Sequence, residues 1–187
     1  MQWINEPARW QAADGGLELT TDDKTDFWQG TYYGWHNDTG HVWGKPVSGD
    51  FTAEVTFSAA YEGHYDQAGL MLRFGPRSWV KAGVEYAHGD CLLSTVITRE
   101  LSDWSVGPHI SVSDHITIRL TRVGLAVCVQ WKPAGSDRAF ATLRLGALSD
   151  AADGLVGPMA CSPTRAGLVA RFRDFRVTPP VDFAGGV

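Results

Sequence analysis

No stretch of this 187-residue chain is strongly basic, and its net charge is −5 at neutral pH. A nucleic-acid backbone or an anionic membrane surface is therefore not the expected partner. Long apolar runs are missing as well; the longest are strand-sized and too short to cross a bilayer as a helix. The segment Met1 to Pro7 has no basic region and no apolar core, so a secretory signal is not expected. Cysteine is scarce. Cys91, Cys128 and Cys161 are isolated and odd in number, which points away from a disulfide framework and towards a reducing, cytoplasmic setting. His36, His41, His64, His88, His109 and His115 show no HxH or HExxH spacing, and no GxSxG marks a serine hydrolase. Neither a metal nor another cofactor is expected. One loose oxygen cluster, Asp22, Asp23, Asp26, Asn37 and Asp38, has two readings: a Ca²⁺ loop or ordinary turns and caps.

Sustained helical periodicity is also lacking; residues 145–155 have room for one helical turn at most. Strand-like runs fall near residues 17–21, 26–33, 40–44, 50–58, 67–74, 79–86, 91–99, 115–122, 125–132, 139–145, 155–160 and 168–178, with Gly, Pro, Asn and Asp between them. Phe51, Ala53, Val55 and Phe57 alternate with Thr52, Glu54, Thr56 and Ser58, and Ile116, Ile118 and Leu120 alternate with polar neighbours. A dozen short strands predict an all-β, two-sheet antiparallel jelly-roll sandwich. The length suits one domain over residues 1–178 that buries roughly 70% of its unfolded surface. The Pro- and Gly-rich tail, residues 179–187, is expected to be loose or laid along an edge.

Tryptophan is the residue in excess, with eight copies. Such rings build cores, but they also form stacking planes for sugars and bases. The clearest local pattern surrounds Trp79. Ala68, Leu70, Leu72 and Phe74 alternate with Gln67, Gly69, Met71 and Arg73; after a turn at residues 75–78, Val80, Ala82 and Val84 alternate with Trp79, Lys81, Gly83 and Glu85. This is an antiparallel hairpin. Matching the apolar faces sets Gln67 against Glu85, Gly69 against Gly83, Met71 against Lys81 and Arg73 against Trp79, and a one-residue slip loses the match. Arg73 and Trp79 are then placed for a cation–π contact. The two facing glycines have two readings: a bare floor for a small polar ligand, or relief of twist and close approach.

The blocks Thr25-Asp26-Phe27-Trp28, Tyr65 to Met71, Trp79 to Glu85, Thr98-Arg99 with Ser102-Asp103-Trp104-Ser105, and Gly157 to Pro163 resemble the DUF1349 family, also described as "regulation of enolase protein 1"-like. The resemblance covers about Trp3 to Thr178. It implies a sandwich of the concanavalin A-like lectin/glucanase type with a concave face. Matching its motifs singles out Asp26, Trp28, Asp66, Gln67, Trp79, Lys81, Glu85, Thr98, Asp103 and Trp104. With Arg73, these are the expected ligand-binding residues, Asp103 and Trp104 lying in a loop at the rim. Glycoside hydrolysis needs two carboxyl groups on one face, for which Glu85 with Asp66 or Asp103 are the candidates. No Glu-x-Asp-x-Glu triplet occurs, and Lys81 shares the face of Glu85 and favours its ionised form. The expected function is a non-catalytic, lectin-like module for a small carbohydrate or related polar metabolite. The alternative is an intracellular regulatory factor with a protein partner, and a glycoside-active enzyme comes third.

Overall fold

In the computed structural model, which describes residues 1–149 and 151–183, the alternating runs become strands. The first five are β1 (Gln2–Ile4), β2 (Arg9–Ala13), β3 (Gly16–Thr20), β4 (Phe27–Gln29) and β5 (His36–Asp38). Then come β6 (His41–Ser48), β7 (Phe51–Ala59), β8 (Gln67–Gly75), β9 (Ser78–Ala87), β10 (Asp90–Arg99) and β11 (Leu101–Ile110). The last five are β12 (Ile116–Val123), β13 (Ala126–Pro133), β14 (Ala141–Ala147), β15 (Asp153–Cys161) and β16 (Val169–Thr178). No helix forms among the described residues, so none is long and apolar enough to cross a membrane.

Two seven-stranded antiparallel sheets result. The first runs β1-β6-β15-β8-β9-β10-β11 and the second β14-β13-β12-β7-β16-β3-β2. Their inward residues form the main core: Leu70, Leu72, Val80, Ala82 and Val84 from the central hairpin meet Ala53, Val55, Phe57, Ile116, Ile118, Leu120 and Phe172. The hairpin register is the one the sequence predicts, Gln67 facing Glu85, Gly69 facing Gly83, Met71 facing Lys81 and Arg73 facing Trp79.

The departures have physical reasons. Residues 26–33 do not make one strand; β4 stops at Gln29, where Gly30 and Tyr32 take positive φ (69° and 61°) and turn the chain back into β5. Leu101–Ile110 is a strand that sequence patterning misses, because Gly107 and Pro108 interrupt it. Both sit opposite Leu93, where the β10–β11 register shifts, and an edge strand accommodates proline at such a bulge. The short strands β1 and β2 were equally hidden. Residues 179–183 form no strand, and Val181 N donates to Thr52 Oγ1 at 2.9 Å along β7; the remaining tail, 184–187, lies outside the described residues.

A second, smaller apolar cluster lies on the outer face of the first sheet. Met71, Trp79, Val96, Leu155, Met159 and Cys161 supply it from the strands, and Phe27 enters from the β4–β5 ribbon above. That ribbon turns an outer sheet face into an interior.

Leu72 is fully buried between the sheets, so Leu72→Ala should cost about 2–5 kcal/mol in chemical denaturation. A loss well below 1 kcal/mol would contradict this packing.

Candidate functional site

Because side chains alternate across a strand, the first sheet presents ordered rows on its outer face. One row reads Trp104, Val96, Lys81, Met71, and the next on one side reads Ser102, Thr98, Trp79, Arg73. On the other side lie Ser94, Gly83, Gly69 and Met159, and beyond them Glu85 and Gln67. The glycine row is narrow for a backbone reason. A Cβ on Gly69 would stand 2.1 Å from Ala82 O, and one on Gly83 2.0 Å from Ala68 O. The glycines therefore serve close strand approach. They do not make an open floor: both are buried, and Lys81, Glu85, Ser94 and Met159 leave only a very small void at Gly83.

The ribbon is fastened by one aromatic and two charges. Phe27 is fully buried against Trp79, ring centroids 6.1 Å apart at 60°. Asp38 takes both Arg73 nitrogens, at 2.8 and 2.7 Å. Asp26 Oδ1 accepts from Lys81 Nζ at 3.2 Å and from Phe27 N at 2.7 Å. Gln29 N donates to Ser102 Oγ at 2.9 Å, and Thr25 N to Ser162 O at 3.1 Å.

Between ribbon and sheet remains a cavity of about 400 Å³. Lys81, Glu85, Gln67 and Val96, all buried, form its inner end. Trp28, Tyr33 and Trp35 wall it from the ribbon, and Tyr65 and Trp104 from the opposite side, while Asp26, His36, Asn37 and Lys24 supply polar edges. Glu85 accepts three side-chain hydrogen bonds. Its Oε2 accepts from Ser94 Oγ at 2.7 Å and Trp104 Nε1 at 2.8 Å, and its Oε1 from Gln67 Nε2 at 3.3 Å. Burial raises its pKa above the ordinary value, and Lys81, Ser94 and Trp104 only partly oppose this. Burial alone would lower Lys81, but the nearby negative groups, Asp26 foremost, hold its pKa above normal. Lys81 is thus a fixed cation and not an amine nucleophile. The Cys161 thiol, pushed up by burial, is no nucleophile either.

Of the residues expected from sequence, Asp26, Trp28, Gln67, Lys81, Glu85 and Trp104 line the cavity. The other five do not. Trp79 faces the same side but lies wholly under Phe27, donating Nε1 to Pro76 O at 3.1 Å. The expected Arg73–Trp79 contact is replaced: Arg73 serves Asp38 and stands 5.9 Å from the Phe27 ring, and Lys81 is the cation near Trp79, at 5.8 Å. Thr98 is buried beneath the ribbon, hydrogen-bonded to Ser102 at 2.8 Å. Asp66 is buried and locked by Arg165 (2.5 Å), Ser162 Oγ and the N–H groups of Glu62 and Gly63.

Asp103 and Trp104 lie within β11 and not in a loop, the turn falling at Glu100 (φ 66°). Opposite parity sends Asp103 to Arg144 of the second sheet at 2.7 Å and Trp104 to the cavity. The carboxylates proposed to work with Glu85 are therefore both engaged elsewhere. The loose Asp cluster is also split, Asp26 holding Lys81 and Asp38 holding Arg73. Tyr33, Trp35, His36 and Tyr65 also line the cavity without having been expected there, and Asn37 lines it though it is read from sequence only as part of the loose oxygen cluster. For Tyr33 and Trp35 the sequence signal is the density of rings in Trp28-x-x-x-Tyr32-Tyr33-Gly34-Trp35.

A family model described as "Protein of unknown function (DUF1349)" matches residues 3–180. The "Regulation of enolase protein 1" of Saccharomyces cerevisiae is 36% identical over 96% of this chain and 89% of its own. A crystal structure of a functionally unknown S. cerevisiae protein superposes with a TM-score of 0.92 at 36% identity, covering 97% of each chain. The carbohydrate binding module CBM66 of Bacillus subtilis shares the fold, with a TM-score of 0.57 at 14% identity and 94% of each chain covered.

The raised Glu85 pKa has a definite sign. A folded state that holds a proton more tightly than the unfolded chain loses stability as pH rises through the interval above the ordinary glutamate value. Glu85→Gln should therefore gain stability relative to the parent as pH rises above the ordinary glutamate value. Parallel denaturation curves for the two proteins across that interval would contradict the burial of an ionised Glu85.

Proposed function

We propose that this chain, which belongs to the DUF1349 family, holds a small carbohydrate or related polar metabolite in the ribbon-covered cavity without turning it over. One observation carries the reading: five aromatic side chains surround a cavity in which a donor, Lys81, and two acceptors, Asp26 and Glu85, are held in place. Ring faces suit the C–H faces of a sugar, and fixed donors and acceptors suit its hydroxyls. Non-catalytic binding is favoured because Asp26 is tied to Lys81, while Asp66 and Asp103 stand outside the cavity. The likeness to a carbohydrate binding module supports the fold alone; the cavity supports the ligand class. A cytoplasmic setting is part of the proposal and rests on three free cysteines.

A regulatory reading has its own support. The relative over nearly the whole chain is named for regulation of enolase, and Tyr32 and Trp35 leave apolar surface exposed on the ribbon turn. In that reading the turn meets a protein partner, and the cavity ligand is either absent or an effector.

Saturation-transfer NMR with neutral monosaccharides, disaccharides and sugar phosphates distinguishes these. Binding is expected, weak (about 10⁻⁴–10⁻³ M, as a small ligand in a part-open site gives), and reduced at least about tenfold, or 1.4 kcal/mol, by Glu85→Gln and by Trp35→Ala. No transfer from any sugar, with a protein partner retained from native extract, would favour the regulatory reading. Product formation that Glu85→Gln abolishes would make the protein an enzyme.

A further inference from the structure

The cavity has a deep end and a solvent end. Lys81 and Glu85 are buried, whereas Tyr33 and Trp35 are 38% and 54% exposed. At the solvent end the Tyr33 hydroxyl lies 3.3 Å from the Tyr65 hydroxyl. Tyr33 belongs to the ribbon turn and Tyr65 to the connection from β7 to β8, so this contact joins the two walls. Among the described residues it is the one hydrogen bond that ties residues 30–35 to the body of the protein.

The other hydrogen bonds of the turn are internal to the ribbon. Gly30 N donates to Trp35 O at 2.7 Å, Gly34 N to Gly30 O at 2.8 Å, and Trp28 Nε1 to Thr31 O at 3.1 Å. Tyr33 stacks on Trp35 at 4.5 Å and 10°. The turn is thus a self-contained unit on a fixed base, and Tyr33 meets Tyr65 at its tip. Tyr65 (φ 66°) and Tyr32 (φ 61°), the neighbour of Tyr33, are among the non-glycine residues in the left-handed region, which large side chains avoid. The hydroxyl contact, before burial, also pushes the Tyr65 pKa up to about 12.

We propose that the Tyr33–Tyr65 pair is the gate of the cavity and limits it to a single free or chain-terminal sugar ring. This rests on the carbohydrate reading above. With the pair joined across the walls, an internal stretch of polysaccharide cannot lie through the site without breaking the contact. The volume, about 400 Å³, is near the lower end of the roughly 300–1,000 Å³ of small-molecule pockets. A ring enters when the hydroxyls part and is held when they rejoin.

The test titrates oligosaccharide ladders of one to six rings in the gluco, manno and xylo series, with a cyclodextrin as a chain without ends. Affinity per chain should be flat with length, and the cyclodextrin should not bind. Tyr33→Phe and Tyr65→Phe keep both rings and remove the contact; dissociation should then speed by about tenfold. Without any ligand, exchange of the Gly30 and Gly34 amides, which donate within the turn, should also speed in Tyr33→Phe, while β8 and β9 stay unchanged. Affinity that climbs with chain length, or binding of the cyclodextrin by the parent protein, overturns the single-ring limit and leaves the carbohydrate reading standing. Unchanged amide exchange in both variants overturns the gate. Silence with every ladder overturns the carbohydrate reading and this inference together.

Discussion

Everything distinctive about this sandwich depends on Phe27 sitting on Trp79. Without that contact the outer face of the first sheet would expose Met71, Trp79, Val96 and Met159 to water, and no cavity would form. Burying rings of this size dominates local stability, and the ribbon is shaped to allow it. Gly40 is needed because a Cβ there would come 2.3 Å from the Phe27 ring. The ion pairs beside the contact have a different role. Buried pairs add little net stability over apolar replacements, but an unpaired partner is costly. Arg73–Asp38 and Lys81–Asp26 therefore fix where the ribbon lies more than how strongly it is held.

The same arrangement sets the chemistry. By neutralising Lys81, Asp26 allows a cation to remain deep in an apolar enclosure, and Lys81 in turn moderates the cost of burying Glu85. Donor and acceptors are thereby held in fixed positions apart from bulk water, the preordering that the proposed binding calls for. Nucleophilic chemistry is unfavourable in the same setting, since both the Lys81 amine and the Cys161 thiol are held in their protonated forms.

Much of the fold was legible because period-two patterning is a local signal with a global consequence. The alternation of residues 67–74 and 79–85 set the hairpin register, and apolar matching alone placed Lys81 and Glu85 on one face. Parity along a strand, however, does not reveal what lies above it. Trp79 falls on the face that parity gives it, while parity leaves the face of Thr98 open, and a ribbon more than forty residues earlier in the chain covers both. Asp103 and Trp104 were read as a loop because Gly107 and Pro108 masked an edge strand, and strand parity then separated the two. The facing glycines left two readings open from sequence, and the 2.0–2.1 Å clearance to neighbouring carbonyls decides for close backbone approach. Tyr33 and Tyr65, 32 residues apart in the chain, carry no shared sequence signal; only the folded ribbon brings them together.

Native-state hydrogen exchange resolved by residue tests the docking of the ribbon most directly. The amides of Thr25, Phe27 and Gln29 are bound by Ser162 O, Asp26 Oδ1 and Ser102 Oγ, and protection of the same order as in β8 and β9 is expected there, with the turn at residues 30–35 much faster. Exchange of those three amides at the rate of an open loop would show that the ribbon is not docked, and the second core, the cavity and the site would fall with it.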